Sequence, residues 1–264
     1  MAFSRPWLRE VCAKITDEVV QAAAENRSCG IRIMELLLAQ RGAEIKITDE
    51  VVQAAAGNQS CGIRILKLLL TQRGAEIKIT DEVVQAAVGN QSCGIRIIKL
   101  LLAQREEIKI TDEVVQAAAG NRSCGARIME LLINSRGSKI KITDEVASAI
   151  AGDIYYGAKM MEVLLNQPEV EIKITPEVVQ AAAGNISSGA RIMKLLLNLE
   201  GAGIKITDEV VSAAAGNQSS GAKIMEILLD QRGAEIKVTD KVVQAAAGNK
   251  YRGVKIMELL RDRT

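Results

Sequence analysis

The chain has no histidine, one tryptophan, one phenylalanine, three tyrosines and three prolines among 264 residues. Without histidine, no side chain of ordinary pKa near neutrality can serve as a general base, and no imidazole can hold zinc. Aromatics at 2% leave the core to alanine, valine, isoleucine and leucine, which suits thin, closely stacked layers. An excess of one charge is also missing. Lysine plus arginine number 34 against 32 acidic residues, so there is no concentrated basic face for a phosphate backbone. No apolar run approaches the ~18 residues of a membrane span. The stretch from Met1 to Glu10 lacks the apolar segment of a secretory signal. These absences weigh against an enzyme, a nucleic-acid binder and a membrane protein, and no cofactor or metal is expected.

Cysteine is sparse but ordered. Cys29, Cys61, Cys93 and Cys124 share one repeat position, where Ser188 and Ser220 stand later. Layers about 10 Å apart hold neighbouring cysteines beyond the ~7 Å Cα separation a disulfide tolerates. No C-x-x-C spacing occurs. Small, buried, reduced side chains in a cytoplasmic protein are the expectation.

What the chain does have is repetition. The phrase I-T-D-E-V-V-Q-A-A-A-G-N recurs with its threonine at Thr16, Thr48, Thr80, Thr111, Thr143, Thr175, Thr207 and Thr239, in steps of 31 or 32 residues. Such a period marks a solenoid, in which each unit buries its apolar face only against its neighbours. The organisation read from it is an N-terminal half-repeat or cap at 1–15, then eight repeats over 16–264.

Within one repeat, Glu44-Ile45-Lys46-Ile47 alternates as an extended segment with one buried face. Thr48 reads as an N-cap, Asp49 and Glu50 suit the positive end of the helix dipole, and Pro176 in one repeat pins the helix start. The first helix should stop at Gly57 in a left-handed C-cap, followed by Asn58, whose amide should bond turn backbone. A second helix follows from about Cys61 to Gln72 with a broad apolar stripe. Gly62, matched in every repeat from Gly30 to Gly253, implies that another backbone packs against it or that the second helix begins later. The Ile-Lys-Ile segments are expected to stack as mostly unpaired linkers, because strands lie about 4.8 Å apart and packed helices 8–10 Å. The fold class is therefore all-α: a right-handed helix-turn-helix solenoid, ankyrin-like, of eight repeats of about 32 residues.

Stacking turns each position into a row. Lysines from Lys14 to Lys237 form one, and glutamates from Glu18 to Glu209 another that switches to Lys241. Both read as solvated faces or as a paired-charge groove. Asn26, Asn58, Asn90, Asn121, Asn185, Asn217 and Asn249 form a row broken only by Asp153. At the ends, Lys241, Arg252 and Arg261 add charge, and Phe3, Pro6, Trp7 and Leu8 align with a missing second helix, Trp7 reading as a lid on the first layer or as a partner contact.

The repeats differ most in the turn between their helices. Its residues, Arg27, Gln59, Gln91, Arg122, Ile154, Tyr155, Tyr156, Ile186, Gln218, Lys250, Tyr251 and Arg252, include every tyrosine of the chain. Tyrosine and arginine are enriched where proteins bind proteins. Drift at tolerant loop tips is the competing reading. A second mixed row, Glu35, Lys67, Lys99, Glu130, Glu162, Lys194, Glu226 and Glu258, lies on the second helix.

The unit T-D-E-V-V-Q-A-A-A-G-N…G-I-R-I-M-E-L-L-L-A-Q-R-G-A-E-I-K-I resembles the ankyrin-like repeat found in tandem at the carboxyl ends of fungal NLR-type (STAND, NACHT-containing) receptors, over Arg9 to Arg263. It is distantly similar to ankyrin itself, but lacks T-P-L-H, has a longer second helix, and has too short a linker after Gly42 for a β-hairpin finger. The resemblance implies a ligand-sensing array that binds a protein partner, joined in full-length receptors to a nucleotide-binding switch. No G-x-x-x-x-G-K-[ST] occurs in this chain. Homotypic association end to end is the other expectation, since similar units invite stacking into filaments, although the charged last repeat and a Trp7 lid weigh against it.

Overall fold

The computed structural model describes residues 15–42, 45–104, 108–135, 140–168, 170–199 and 203–261. Phe3, Pro6, Trp7, Leu8 and Lys14, with most of the cap assigned to 1–15, lie outside those residues.

The chain divides into two compact units, 1–108 and 109–264. Among the described residues of the first unit three helical hairpins follow one another: α1 (Asp17–Glu25) with α2 (Gly30–Arg41), α3 (Asp49–Gly57) with α4 (Gly62–Arg73), and α5 (Asp81–Gly89) with α6 (Gly94–Leu102). The second unit has five: α7 (Asp112–Gly120) with α8 (Gly125–Asn134), α9 (Asp144–Gly152) with α10 (Gly157–Leu165), α11 (Pro176–Gly184) with α12 (Gly189–Leu197), α13 (Asp208–Gly216) with α14 (Gly221–Arg232), and α15 (Asp240–Ala247) with α16 (Gly253–Arg261). Within each unit, first helices pack on first helices and second on second, as α1 on α3 and α2 on α4. Both units are thus all-α helical-repeat solenoids.

The packing follows from side-chain size. Val51, Val52, Ala55 and Ala56 of α3 are fully buried, as are Ile65, Leu66 and Leu69 of α4. Burying one such aliphatic side chain contributes ~1.5–3 kcal/mol. Nine-residue helices would not persist alone, so this neighbour contact is what holds them.

The glycine that opens each second helix has a clear cause. A Cβ on Gly62 would collide with the carbonyl oxygen of Ala55, and one on Gly125, Gly157 or Gly253 with the equivalent carbonyl of its own first helix. The glycine that ends the first helix behaves otherwise than expected. Gly57 is the last helical residue rather than a left-handed cap, and no atom lies within 4 Å of a Cβ built on it. The chain leaves the helix through Asn58, extended at φ −69° and ψ 111°. Asparagine can close the turn with its side chain, so no left-handed residue is needed.

The threonines also depart from expectation. Thr80 and Thr111 accept from the backbone N–H three residues on, at 3.4 Å. Thr16, Thr48, Thr143, Thr207 and Thr239 cap no backbone N–H. The hydroxyls of Thr16, Thr48 and Thr111 hold the carboxyls of Glu18, Glu50 and Glu113 below their ordinary value, and each glutamate's own backbone N–H adds to this.

One pair of linkers forms a sheet. Ile140–Ile142 (β1) pairs in parallel with Val170–Ile172 (β2), Ile140 opposite Val170 and Ile142 opposite Ile172. Mostly unpaired linkers were expected, and this joint is the exception among the described residues. Its cause is local. Elsewhere Gly74–Glu76 and Gly233–Glu235 coil into a 3-10 turn before the extended segment. Val170 stands where those turns have alanine, and its branched side chain favours an extended backbone two residues earlier. Where the 3-10 turn forms, Arg73 ties the linkers instead. Its guanidinium donates to the carbonyls of Gly42 at 2.6 Å and Ile45 at 3.2 Å, and grips Glu76.

Candidate partner-binding surface

The turn between the helices is built on its asparagine. Asn217 is 3% exposed. Its Oδ1 accepts from the backbone N–H groups of Ser219 at 3.1 Å and Ser220 at 3.0 Å, which tightens its own turn. Its Nδ2 donates to the carbonyls of Ala183 at 2.9 Å and Asn185 at 3.0 Å, one repeat earlier. Asn58, Asn90, Asn185 and Asn249 make the same two donations. The expected role in the turn is correct. The bridge to the preceding repeat is additional, and it fixes successive turn tips side by side.

On that rigid base the turn residues are presented to solvent. Of the twelve singled out by sequence, Arg27, Gln91, Arg122, Ile154, Tyr155, Tyr156, Ile186, Lys250, Tyr251 and Arg252 are exposed. Gln59 and Gln218 are half-buried and bridge neighbouring turns, their Oε1 atoms accepting from the backbone N–H groups of Ser92 at 3.1 Å and Lys250 at 3.0 Å. These two belong to the framework. In the second unit the structure brings Arg122, Ile154, Tyr155, Tyr156 and Ile186 onto three successive turns. The Arg122 guanidinium lies 4.0 Å from the centroid of the Tyr155 ring, a cation–π pair between repeats.

Asp153 changes this region. Its Oδ1 still accepts from Tyr155 N–H at 3.0 Å and Tyr156 N–H at 2.6 Å, so the turn forms. A carboxylate has no amide to donate backward, so Ala119 and Asn121 lack the bridge that their counterparts receive. Contact between α7 and α9 is the sparsest between first helices in this unit, and Ala119 is half-exposed where Ala151, Ala183 and Ala215 are fully buried. The break in the asparagine row was visible in the sequence. The open joint below the tyrosines was not, because it depends on the spacing between layers.

The other rows are ordinary surface. On the second helices, Glu162 pairs with Arg191 at 2.5 Å and Lys159 at 3.7 Å, and Glu226 with Lys255 at 4.0 Å. Lys141 meets Glu171 at 3.8 Å across the strand pair. Exposed pairs of this kind contribute ~0–1 kcal/mol. Among the described residues the cysteines are free: Cys61 and Cys93 are buried, Cys124 is half-buried and Cys29 is exposed. A shallow groove beside β2, lined by Leu165, Ile172, Lys173, Thr175 and Lys205, holds no nucleophile–base pair among its lining residues. Among the described residues no group of histidine, cysteine, aspartate or glutamate is arranged to hold a metal, and no helix is long and apolar enough to cross a membrane.

Comparison with known proteins finds the same number of repeats. A family model described as "Domain of unknown function (DUF7104)" matches residues 9–34, 36–65, 68–97, 100–129, 131–161, 163–193, 195–225 and 227–257, one match per repeat. Neither a curated protein nor a solved structure matches the chain.

Proposed function

The chain belongs to the DUF7104 family through all eight of its repeats, and from that premise we propose that it is a non-enzymatic protein-recognition module whose binding surface is the row of turns between the helices. One observation carries this reading. Among the described residues of the inner repeats, the large apolar residues exposed on turn tips are Ile154, Tyr155, Tyr156 and Ile186, and Val238 stands exposed on a linker. Aromatic side chains held on a rigid turn lose little conformational freedom on binding, which favours them as anchors. The mechanism is multivalent: each repeat adds one tip, and a partner spans several.

The resemblance to the arrays of fungal NLR-type receptors supports a finer version, in which this module is the ligand-sensing part of an innate-immunity-type receptor in the cytoplasm. The test is capture from microbial and fungal extracts by the immobilised chain, beside a variant with Tyr155→Ser, Tyr156→Ser and Tyr251→Ser. Circular dichroism of both checks that the helices are intact. A protein held by the parent and lost by the variant supports recognition through the turns. Equal retention by both overturns this surface as the site.

A further inference from the structure

The end face of the eighth repeat exposes groups that every preceding repeat of its unit covers. Met257 is 39% exposed, while Met225, Met193, Met161 and Met129 at the same repeat position are buried. Val254 is 79% exposed. Ala247 is exposed where Ala215 and Ala183 are fully buried. The carbonyls of Ala247 and Asn249 are the repeat equivalents of those of Ala215 and Asn217, which receive the Asn249 amide at 2.8 and 2.9 Å. The charged residues of the last repeat leave this apolar face open.

The first repeat presents the reciprocal surface. Val19 is 46% exposed, whereas Val51 and Val83 at the same position are fully buried, and Leu36 is 56% exposed. Asn26 closes its own turn through Oδ1, accepting from Ser28 and Cys29 N–H at 3.0 and 2.9 Å. Among the described residues its Nδ2 has no acceptor. Charges match as well. Lys241 replaces the glutamate of the other repeats and already bonds Glu209, one repeat back, at 3.2 Å. One repeat step forward from Lys241, a stacked first repeat carries Glu18. By the spacing that joins Glu162 to Arg191 and Glu226 to Lys255, Glu258 would face Arg32.

We propose that the end face of the eighth repeat binds the first repeat of a second copy of this chain, head to tail, with the Asn26 amide of one copy donating to the Ala247 and Asn249 carbonyls of the other. This surface is separate from the turn tips. The chain itself shows what covers such a face, since the joints made by Asn58, Asn90, Asn185, Asn217 and Asn249 bring the same positions together with the same two amide bonds. The two surfaces differ, so the contact does not close on itself and assembly continues at both ends.

Two variants test it by sedimentation velocity over a wide concentration range. Met257→Glu places a charge on the exposed end face. Asn26→Asp removes the donor and keeps the turn, as Asp153 does in its own repeat. The parent is expected to gain mass with concentration, and each variant to associate at least about tenfold more weakly. A mixture of the two should form pairs and nothing longer, because each variant retains the surface that the other lacks. Circular dichroism confirms that both fold. A parent mass that stays monomeric at all concentrations overturns the proposal. So do variants that associate as the parent does, or a mixture that forms no pairs.

Discussion

The side-chain amide of Asn217 donates to the main-chain carbonyl of Asn185, 3.0 Å away and one repeat earlier. With its second donation and the two bonds that its Oδ1 accepts, this buried residue joins two layers and one turn. Asn217→Ala is expected to cost ~2–4 kcal/mol in urea unfolding, since it leaves buried backbone groups unpaired. The converse change is more telling. Asp153→Asn supplies the amide missing from its joint and should add ~1–2 kcal/mol. No gain would mean that the opening between α7 and α9 has another cause.

Two glycines five residues apart should respond oppositely to alanine. Gly125→Ala drives a methyl into the Ala118 carbonyl, and a loss of ~1–3 kcal/mol is expected. Gly120 has open space around it and helical backbone, so Gly120→Ala should be neutral or add ~0.5–1 kcal/mol. Chemical unfolding of both variants decides it, and equal effects would contradict the distinction between the two positions.

Acid should loosen the helix starts. The carboxyls of Glu18, Glu50 and Glu113 titrate below their ordinary value because of the neighbouring threonine hydroxyls and their own backbone N–H groups. A depressed folded-state pKa gives stability that is fully present above the unfolded value and is lost as pH falls through the folded one. Unfolding followed from neutral pH downward should therefore show stability falling through the carboxylate range. Thr48→Val should flatten that fall slightly. An unchanged slope would show that the hydroxyl contributes nothing there.

The same methionine position should matter unequally along the chain. Met193 is fully buried, and Met193→Ala is expected to cost ~2–4 kcal/mol. Met257 is 39% exposed, and Met257→Ala in dilute solution should cost less than ~1.5 kcal/mol. Thermal unfolding at low concentration separates the two.

The period, the paired helices and the turn role of asparagine were legible because each repeats at fixed spacing. The glycine before the second helix was legible too, since eight retentions of a helix-weakening residue imply a steric cause, which the Ala55 carbonyl supplies at Gly62. What escaped depends on distance between layers, which a sequence does not state. The backward donation of Asn217, the framework role of Gln59 and Gln218, and the open joint at Asp153 all require knowing which carbonyl or N–H stands opposite. The left-handed cap assigned to Gly57 failed because asparagine offered another exit. The pairing of β1 with β2 follows from one residue, Val170, whose effect reaches the neighbouring linker only when the two lie side by side.

The bridging amides have one more implication. Their acceptors are main-chain carbonyls, which every amino acid carries alike. An asparagine therefore cannot tell which repeat precedes it, and the joint it makes is indifferent to the identity of its neighbour. A chain with repeats exchanged, removed or doubled would form the same joints, and the order in which the turn tips are displayed would be free to change while the scaffold stayed constant.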